Sequence, residues 1–269
     1  MKKIIRNILI IMSAALLLVG FSSKEPAEAL TEDVNTDVVE TVEENLEGHS
    51  LMIFCGAGMK DPFEKIAQQF KERTGCDVQV TYANAAQIQT QINTAEEGDF
   101  FIAGSKEEVE PVKALVESSK DLVKHIPVLV VAKGNPLGIT GPSDLAIGGV
   151  KFIMGDPEST PIGKIANKVI SDFELTDKLD IVANTATAPA MTLVLESEEA
   201  NAAIVWKENV KSKNLEIVET TDMNKYIKII PAALLSCKTD EKAQEVFNKY
   251  LDKEEVKAIW MEFGYEIAE

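Results

Sequence analysis

The chain has 269 residues, 45% hydrophobic and 26% charged, which suffices for a buried core and excludes a disordered or collagen-like chain. Lysine and arginine number 27 against 44 aspartates and glutamates, a formal net charge of −17 that repels phosphate backbones and anionic lipid, so no nucleic-acid partner is expected. Two histidines, His49 and His125, and three cysteines, Cys55, Cys76 and Cys237, form no C-x-x-C or H-x-x-x-H pattern. No zinc site, redox motif, disulfide framework or other cofactor is expected.

Lys2, Lys3 and Arg6 precede an apolar run from Ile8 to Val19 broken only by Ser13, the order of a secretory signal, expected over residues 1–21. The run is shorter than the roughly 20 residues a membrane span needs. Leu18-Val19-Gly20-Phe21-Ser22-Ser23 resembles the end of a bacterial lipoprotein signal with Phe21 in place of the cysteine. Without a thiol nothing is acylated, and the expected location is extracytoplasmic, periplasmic or cell-surface. From Ser22 to Glu47, Lys24 alone faces nine acids, so residues 22–49 read as a disordered acidic tether; EF-hand spacing is absent.

From Ser50 onward, short apolar runs alternate with helical periods, which predicts an α/β fold with mainly parallel sheets. Strand Leu51–Cys55 leads through Gly56-Ala57-Gly58 to a helix opened by Asp61-Pro62, with Phe63, Ile66, Ala67 and Phe70 on one face and Gly75 at its end. Strand Val78–Tyr82, helix Ala86–Asn93, and strands Phe100–Ala103 and Val128–Ala132 follow. After the turn Gly134-Asn135-Pro136 come strand Lys151–Met154, loop Gly155-Asp156-Pro157, helices Ile162–Phe173 and Pro189–Leu195, and strands Ala202–Trp206 and Leu215–Val218. Ile227–Leu235 and helices Glu241–Leu251 and Glu254–Phe263 close the chain. This order predicts two lobes, residues 50–131 with 232–269 and residues 132–231, with a small-ligand cleft between them.

Gly56-Ala57-Gly58 is not a dinucleotide fingerprint, because Asp61 stands where the third glycine belongs; Lys60 does not complete a phosphate loop either. Two readings remain: a plain strand-to-helix turn, or backbone N–H groups at a helix start able to hold an anion. Pro189 and Gly155-Asp156-Pro157 supply further helix starts, with few basic residues around them. No nucleophile elbow exists and neither histidine lies in a context suggesting a base, so no enzymatic activity is expected. His125, before Ile126-Pro127, reads as structural or near a lobe crossing, and Cys55 as a small buried hydrophobe.

Phe54 to Asp61, Phe70-Lys71-Glu72-Arg73-Thr74-Gly75, Tyr82-Ala83-Asn84-Ala85-Ala86 with Gln91-Ile92, Gly155-Asp156-Pro157-Glu158 with Pro161, Gly163 and Ala166, and Ala203-Ile204-Val205-Trp206 together resemble the periplasmic molybdate- and tungstate-binding proteins of ABC importers. The resemblance runs from Leu51 to the C-terminus. It implies a two-lobed periplasmic-binding-protein-like fold of type II, an oxyanion as ligand, a membrane ABC permease as partner and a monomeric state. The ligand contacts it implies fall on Gly58 and Ala85, where serines are usual, on the N–H groups of Ile162 and Ala188, and on Trp206, where a tyrosine is usual. Asn84, Gln87 and Thr160 are candidates to replace the lost hydroxyls. Two missing hydroxyls cost about 3–6 kcal/mol of binding at the strength of charge-assisted hydrogen bonds. The alternative is therefore the same architecture holding a different small anion or an organic solute against a wider pocket and the Trp206 ring, and a further alternative is a sensor held near a partner by its tether.

Overall fold

A computed structural model describes residues 44–186 and 188–268; the expected signal, Phe21 and most of the acidic segment lie outside them. The first sheet contains β1 (Ser50–Gly56), β2 (Asp77–Ala83), β3 (Phe100–Ile102), β4 (Val116–His125), β10 (Lys228–Leu235) and β11 (Glu266–Ile267), in the order β11-β4-β10-β3-β1-β2. The second contains β5 (Pro127–Ala132), β6 (Lys151–Gly155), β7 (Asp180–Thr185), β8 (Ala202–Trp206) and β9 (Leu215–Ile217), in the order β7-β6-β8-β5-β9. The helices are α1 (Lys60–Thr74), α2 (Ala85–Ala95), α3 (Pro161–Asp172), α4 (Ala188–Glu196), α5 (Glu241–Tyr250) and α6 (Glu254–Glu262).

The two-lobed α/β architecture is the expected one. Parallel pairing holds within β3-β1-β2 and within β7-β6-β8. Elsewhere the pairing is antiparallel, so the sheets are mixed where mainly parallel ones are expected: β10 runs against β3 and β4, β11 against β4, and β5 against β8 and β9. The reason is connectivity. β4 passes through Ile126 alone into β5, and β9 returns to β10, so these strands change sheet instead of returning over a helix, which parallel neighbours require. The change of sheet thus precedes Pro127 and Lys228, a few residues before the expected lobe limits. Pro231 lies inside β10, tolerated at a register shift between Ile230 and Pro231.

In α1 the residues Phe63, Ile66, Ala67 and Phe70 are buried as their spacing predicts. Gly75 ends the helix in the left-handed region at φ 74°, its N–H donating to the Lys71 carbonyl at 2.9 Å. The α1 N-terminus departs from expectation: Met59 occupies the cap without a side-chain bond, and Asp61 lies one residue inside the helix. Phe70 and Phe247 meet edge to face with centroids 4.9 Å apart, joining α1 to α5 in the first core. The second core is built from Leu129, Phe152, Ile153, Ile165, Val169 and Ile204.

The end of the acidic segment is not a tether. Leu46 is 0% exposed in the first core, and its N–H donates to the Thr74 carbonyl at 2.7 Å. His49 follows, its carbonyl accepting from Asp77 N–H and its Nδ1 lying 2.8 Å from Asp240 Oδ2. One leucine with a hole to fill outweighs the acids around it, because their carboxylates remain in water.

Candidate functional site

The parallel registers bring the helix starts together. Gly56 of β1 is level with Ala83 of β2, so α1 and α2 both begin at the C-terminal edge of the first sheet. In the second sheet Gly155 is level with Thr185, so α3 and α4 begin at its C-terminal edge. Ile153 pairs with Ala203, which sets Trp206 level with Asp156 on that edge. Ligands bind at such edges in open α/β sheets.

Gly58 lies in a short 3-10 turn before α1, and nothing stands within 4 Å of where a side chain would begin. Ala85 opens α2, and Ile162 is the second residue of α3. The N–H groups of Ala85, Ala86 and Ile162 have no hydrogen-bond partner among the described residues, as expected of first-turn donors that the cap side chain does not reach. Ala188 opens α4, after Thr187, which is not among the described residues. The structure thus places Gly58 with Ala85 on one edge, and Ile162, Ala188 and Trp206 on the other.

The substitutes for the missing hydroxyls are mostly committed. Asn84 caps α2, its Oδ1 accepting from Gln87 N–H at 3.0 Å, so only its amide N–H₂ remains. Thr160 Oγ1 accepts from Gly163 N–H at 3.0 Å and donates to the Asp156 carbonyl at 2.7 Å, which removes it as a ligand donor. Gln87 is exposed and lines a wide depression of about 510 Å³ with Ala83, Ala86, Thr90 and Gln91, along the first turns of α2.

The Gly155-to-Gly163 turn is held together by its own side chains and backbone. Asp156 Oδ1 accepts from Ser159 Oγ and N–H, each at 2.7 Å, and from Glu158 N–H at 3.0 Å. These bonds, Ser159 Oγ first, hold its carboxyl below the usual range. Gly163 packs directly on the backbone of Gly155 and Asp156, where a Cβ would have no room.

Trp206, 8% exposed, ends β8 in the second core. Its ring lies flat on His125, the last residue of β4, with centroids 3.5 Å apart and planes 17° from parallel. The face expected to be open for a solute is therefore covered by an imidazole. His125 Nδ1 lies 3.3 Å from the Gly104 carbonyl and Nε2 lies 3.0 Å from Glu208 Oε1. Gly104 N–H in turn donates to Glu108 Oε2 at 2.7 Å. Burial pushes the Glu108 carboxyl toward its neutral form, against the pull of that N–H. Sequence reasoning missed Gly104, Glu108 and Glu208; the one signal was His125 directly before Ile126-Pro127.

Cys55 is fully buried and Cys76 is held by burial, with Asp240 adding to it, at about 11, so neither is a reactive thiolate at neutral pH. Among the described residues no group of three or more His, Cys, Asp and Glu is placed to hold a metal ion, and no helix is long and apolar enough to cross a membrane.

Residues 51–266 match the model of the bacterial extracellular solute-binding protein family. A Haemophilus influenzae protein described as a binding protein is 31% identical over 224 residues, covering 79% of this chain and 89% of that one. The molybdate-binding protein ModA of Escherichia coli is 23% identical, covering 81% and 89%. Among solved structures, the substrate-binding domain of a molybdenum ABC transporter from Clostridium difficile is similar at TM-score 0.70 and 26% identity, covering 82% of this chain and 99% of that one. With helix starts gathered on the edges of two sheets and a family match over nearly all of the folded body, the chain belongs to the bacterial extracellular solute-binding proteins.

Proposed function

We propose that this protein is the extracytoplasmic receptor of an ABC importer and binds a tetrahedral oxyanion of the molybdate and tungstate kind between its lobes. The observation that carries the reading is the set of helix starts, α1 and α2 on one sheet edge and α3 and α4 on the other, whose free N–H groups include Ala85 and Ile162. Each start carries about half a positive charge, enough to hold a dianion without a salt bridge and to release it again. Gly58, Ala85, Ile162 and Ala188 supply backbone donors, Trp206 its indole N–H, and Asn84 and Gln87 side-chain amides. The relatives named for molybdate and for molybdenum transport support this solute class. The signal-like N-terminus with Phe21 supports export without acylation, and a membrane permease is the partner that receives the loaded form.

The open space at Gly58 favours one second reading, a larger anion or small organic acid in the same cleft. A thermal-shift screen against molybdate, tungstate, sulfate, phosphate and a set of organic acids separates the two, since a ligand at 100 times Kd adds about 2.7 kcal/mol of stability. Stabilisation by molybdate or tungstate supports the first reading; stabilisation by organic acids alone replaces it.

A further inference from the structure

His125 is held from three directions by segments that the sequence keeps far apart. Gly104, just past β3, presents its carbonyl to Nδ1, and Glu208, just past β8, presents its carboxylate to Nε2. Tyr265, near the C-terminus, brings its ring to 6.2 Å from the imidazole, centroid to centroid, and burial with the Glu208 charge pushes its phenol well above the usual range. The side chains of His125 and Glu208 are only 11% and 8% exposed, so water does not compete for these contacts. Backbone packing reinforces them: Lys207 N–H donates to the Ile126 carbonyl at 2.9 Å, and Gly264 lies against the Glu208 backbone, where even a Cβ would come within 3.2 Å.

The imidazole so fixed lies on Trp206, which is otherwise embedded in the second core. The Trp206 indole N–H has no hydrogen-bond partner among the described residues, and the residue keeps 8% of its surface exposed. We infer that His125 is a positioning residue of the solute site: it fixes the plane of Trp206 and covers its ring, so Trp206 offers a solute its N–H and no stacking face. The inference rests on Trp206 being a solute donor. Its consequence is selectivity, since a site with one fixed donor and no open ring favours compact hydrogen-bonding anions over ring-bearing ones. Fixing the donor before the solute arrives also removes an ordering cost from binding.

The chain has two tryptophans, so Trp260→Phe leaves Trp206 as the sole indole emitter. Trp260 is buried in the first core and its N–H has no partner among the described residues, so the change removes no hydrogen bond seen there. In that background, His125→Ala and His125→Phe are compared with the parent by Trp206 emission and by calorimetric titration with molybdate and with phenylphosphonate. With His125→Ala, emission shifts to the red, the molybdate Kd rises roughly tenfold, and preference moves toward phenylphosphonate. With His125→Phe, which restores a ring, emission and molybdate Kd return to within about threefold of the parent. If His125→Ala does not fold, His125→Gln removes the ring while keeping a donor for Glu208, and takes its place. A parent that binds molybdate while the alanine or glutamine variant stays within about twofold of it, or while the phenylalanine variant is as weak, overturns the inference alone. A parent that binds neither anion overturns the oxyanion reading and this inference with it.

Discussion

Restoring the hydroxyls absent from the first lobe should tighten oxyanion binding, and the structure gives the size of the effect. Gly58 is the better of the two positions: no atom lies within 4 Å of a Cβ there, and its backbone is outside the left-handed region, so Gly58→Ser introduces neither clash nor strain. Ala85 opens α2 half-buried, where serine is well tolerated at a helix start. A hydroxyl donating to an anion contributes about 1.5–3 kcal/mol, so each substitution should lower the molybdate Kd by roughly 10- to 150-fold. The pair falls short of additivity if both hydroxyls address one oxygen. Calorimetric titration of wild type, both single variants and the double variant with molybdate measures this, and melting temperatures without ligand show whether the fold is unaltered. Equal affinity in all four proteins, with unaltered melting, would show that Gly58 and Ala85 do not face the solute.

Three further outcomes follow from the packing and the charges. Leu46→Ala should destabilise the protein by about 2–5 kcal/mol in denaturant unfolding, because Leu46 is fully buried; a loss below about 0.5 kcal/mol, the range of a surface change, would return residues 44–47 to the tether. Gly163→Ala should cost about 1–3 kcal/mol or more, since the added methyl meets the Gly155 and Asp156 backbone, and unchanged stability would mean that the β6–α3 turn is looser than described. Glu107, whose carboxyl the Lys228 ammonium holds at about 2, contributes stability that is present above its unfolded value near 4.3 and is lost as pH falls toward 2. Lys228→Met should therefore lower the melting temperature at pH 7 and make little difference near pH 2, with a small effect at any pH because Glu107 is exposed.

The elements that carry the fold were legible where local pattern and burial agree. The α1 face Phe63-Ile66-Ala67-Phe70, the stop at Gly75 and the run Ala202–Trp206 each bury what their spacing says they bury. β4 was not legible: Val116-Glu117-Ser118-Ser119-Lys120-Asp121 is polar along much of its length and becomes a strand through its long pairing with β10. β7 is an exposed edge strand, held by pairing with β6 along one side. Antiparallel pairing at the lobe crossings follows from where the chain passes between sheets, which no hydrophobic period encodes.

For the site, the helix starts at the sheet edges were legible, because a βα turn fixes where a helix begins. What the side chains do there was not. Thr160 is consumed by capping α3, and Asn84 half-consumed by capping α2. The contact between His125 and Trp206 joins residues 81 positions apart, and neither has a neighbour in sequence that announces the other.

The central claim, that the two edges present N–H donors to one oxyanion, is tested most directly by calorimetric titration of the wild-type protein and Trp206→Phe with molybdate, tungstate and sulfate. The account predicts that the wild type binds molybdate or tungstate at one site per chain. It also predicts that Trp206→Phe, which keeps the ring on His125 and removes the indole N–H, weakens that binding by roughly tenfold or more. Wild-type protein that binds none of the three anions, or a Trp206→Phe variant that melts lower yet binds with unchanged affinity, would contradict it.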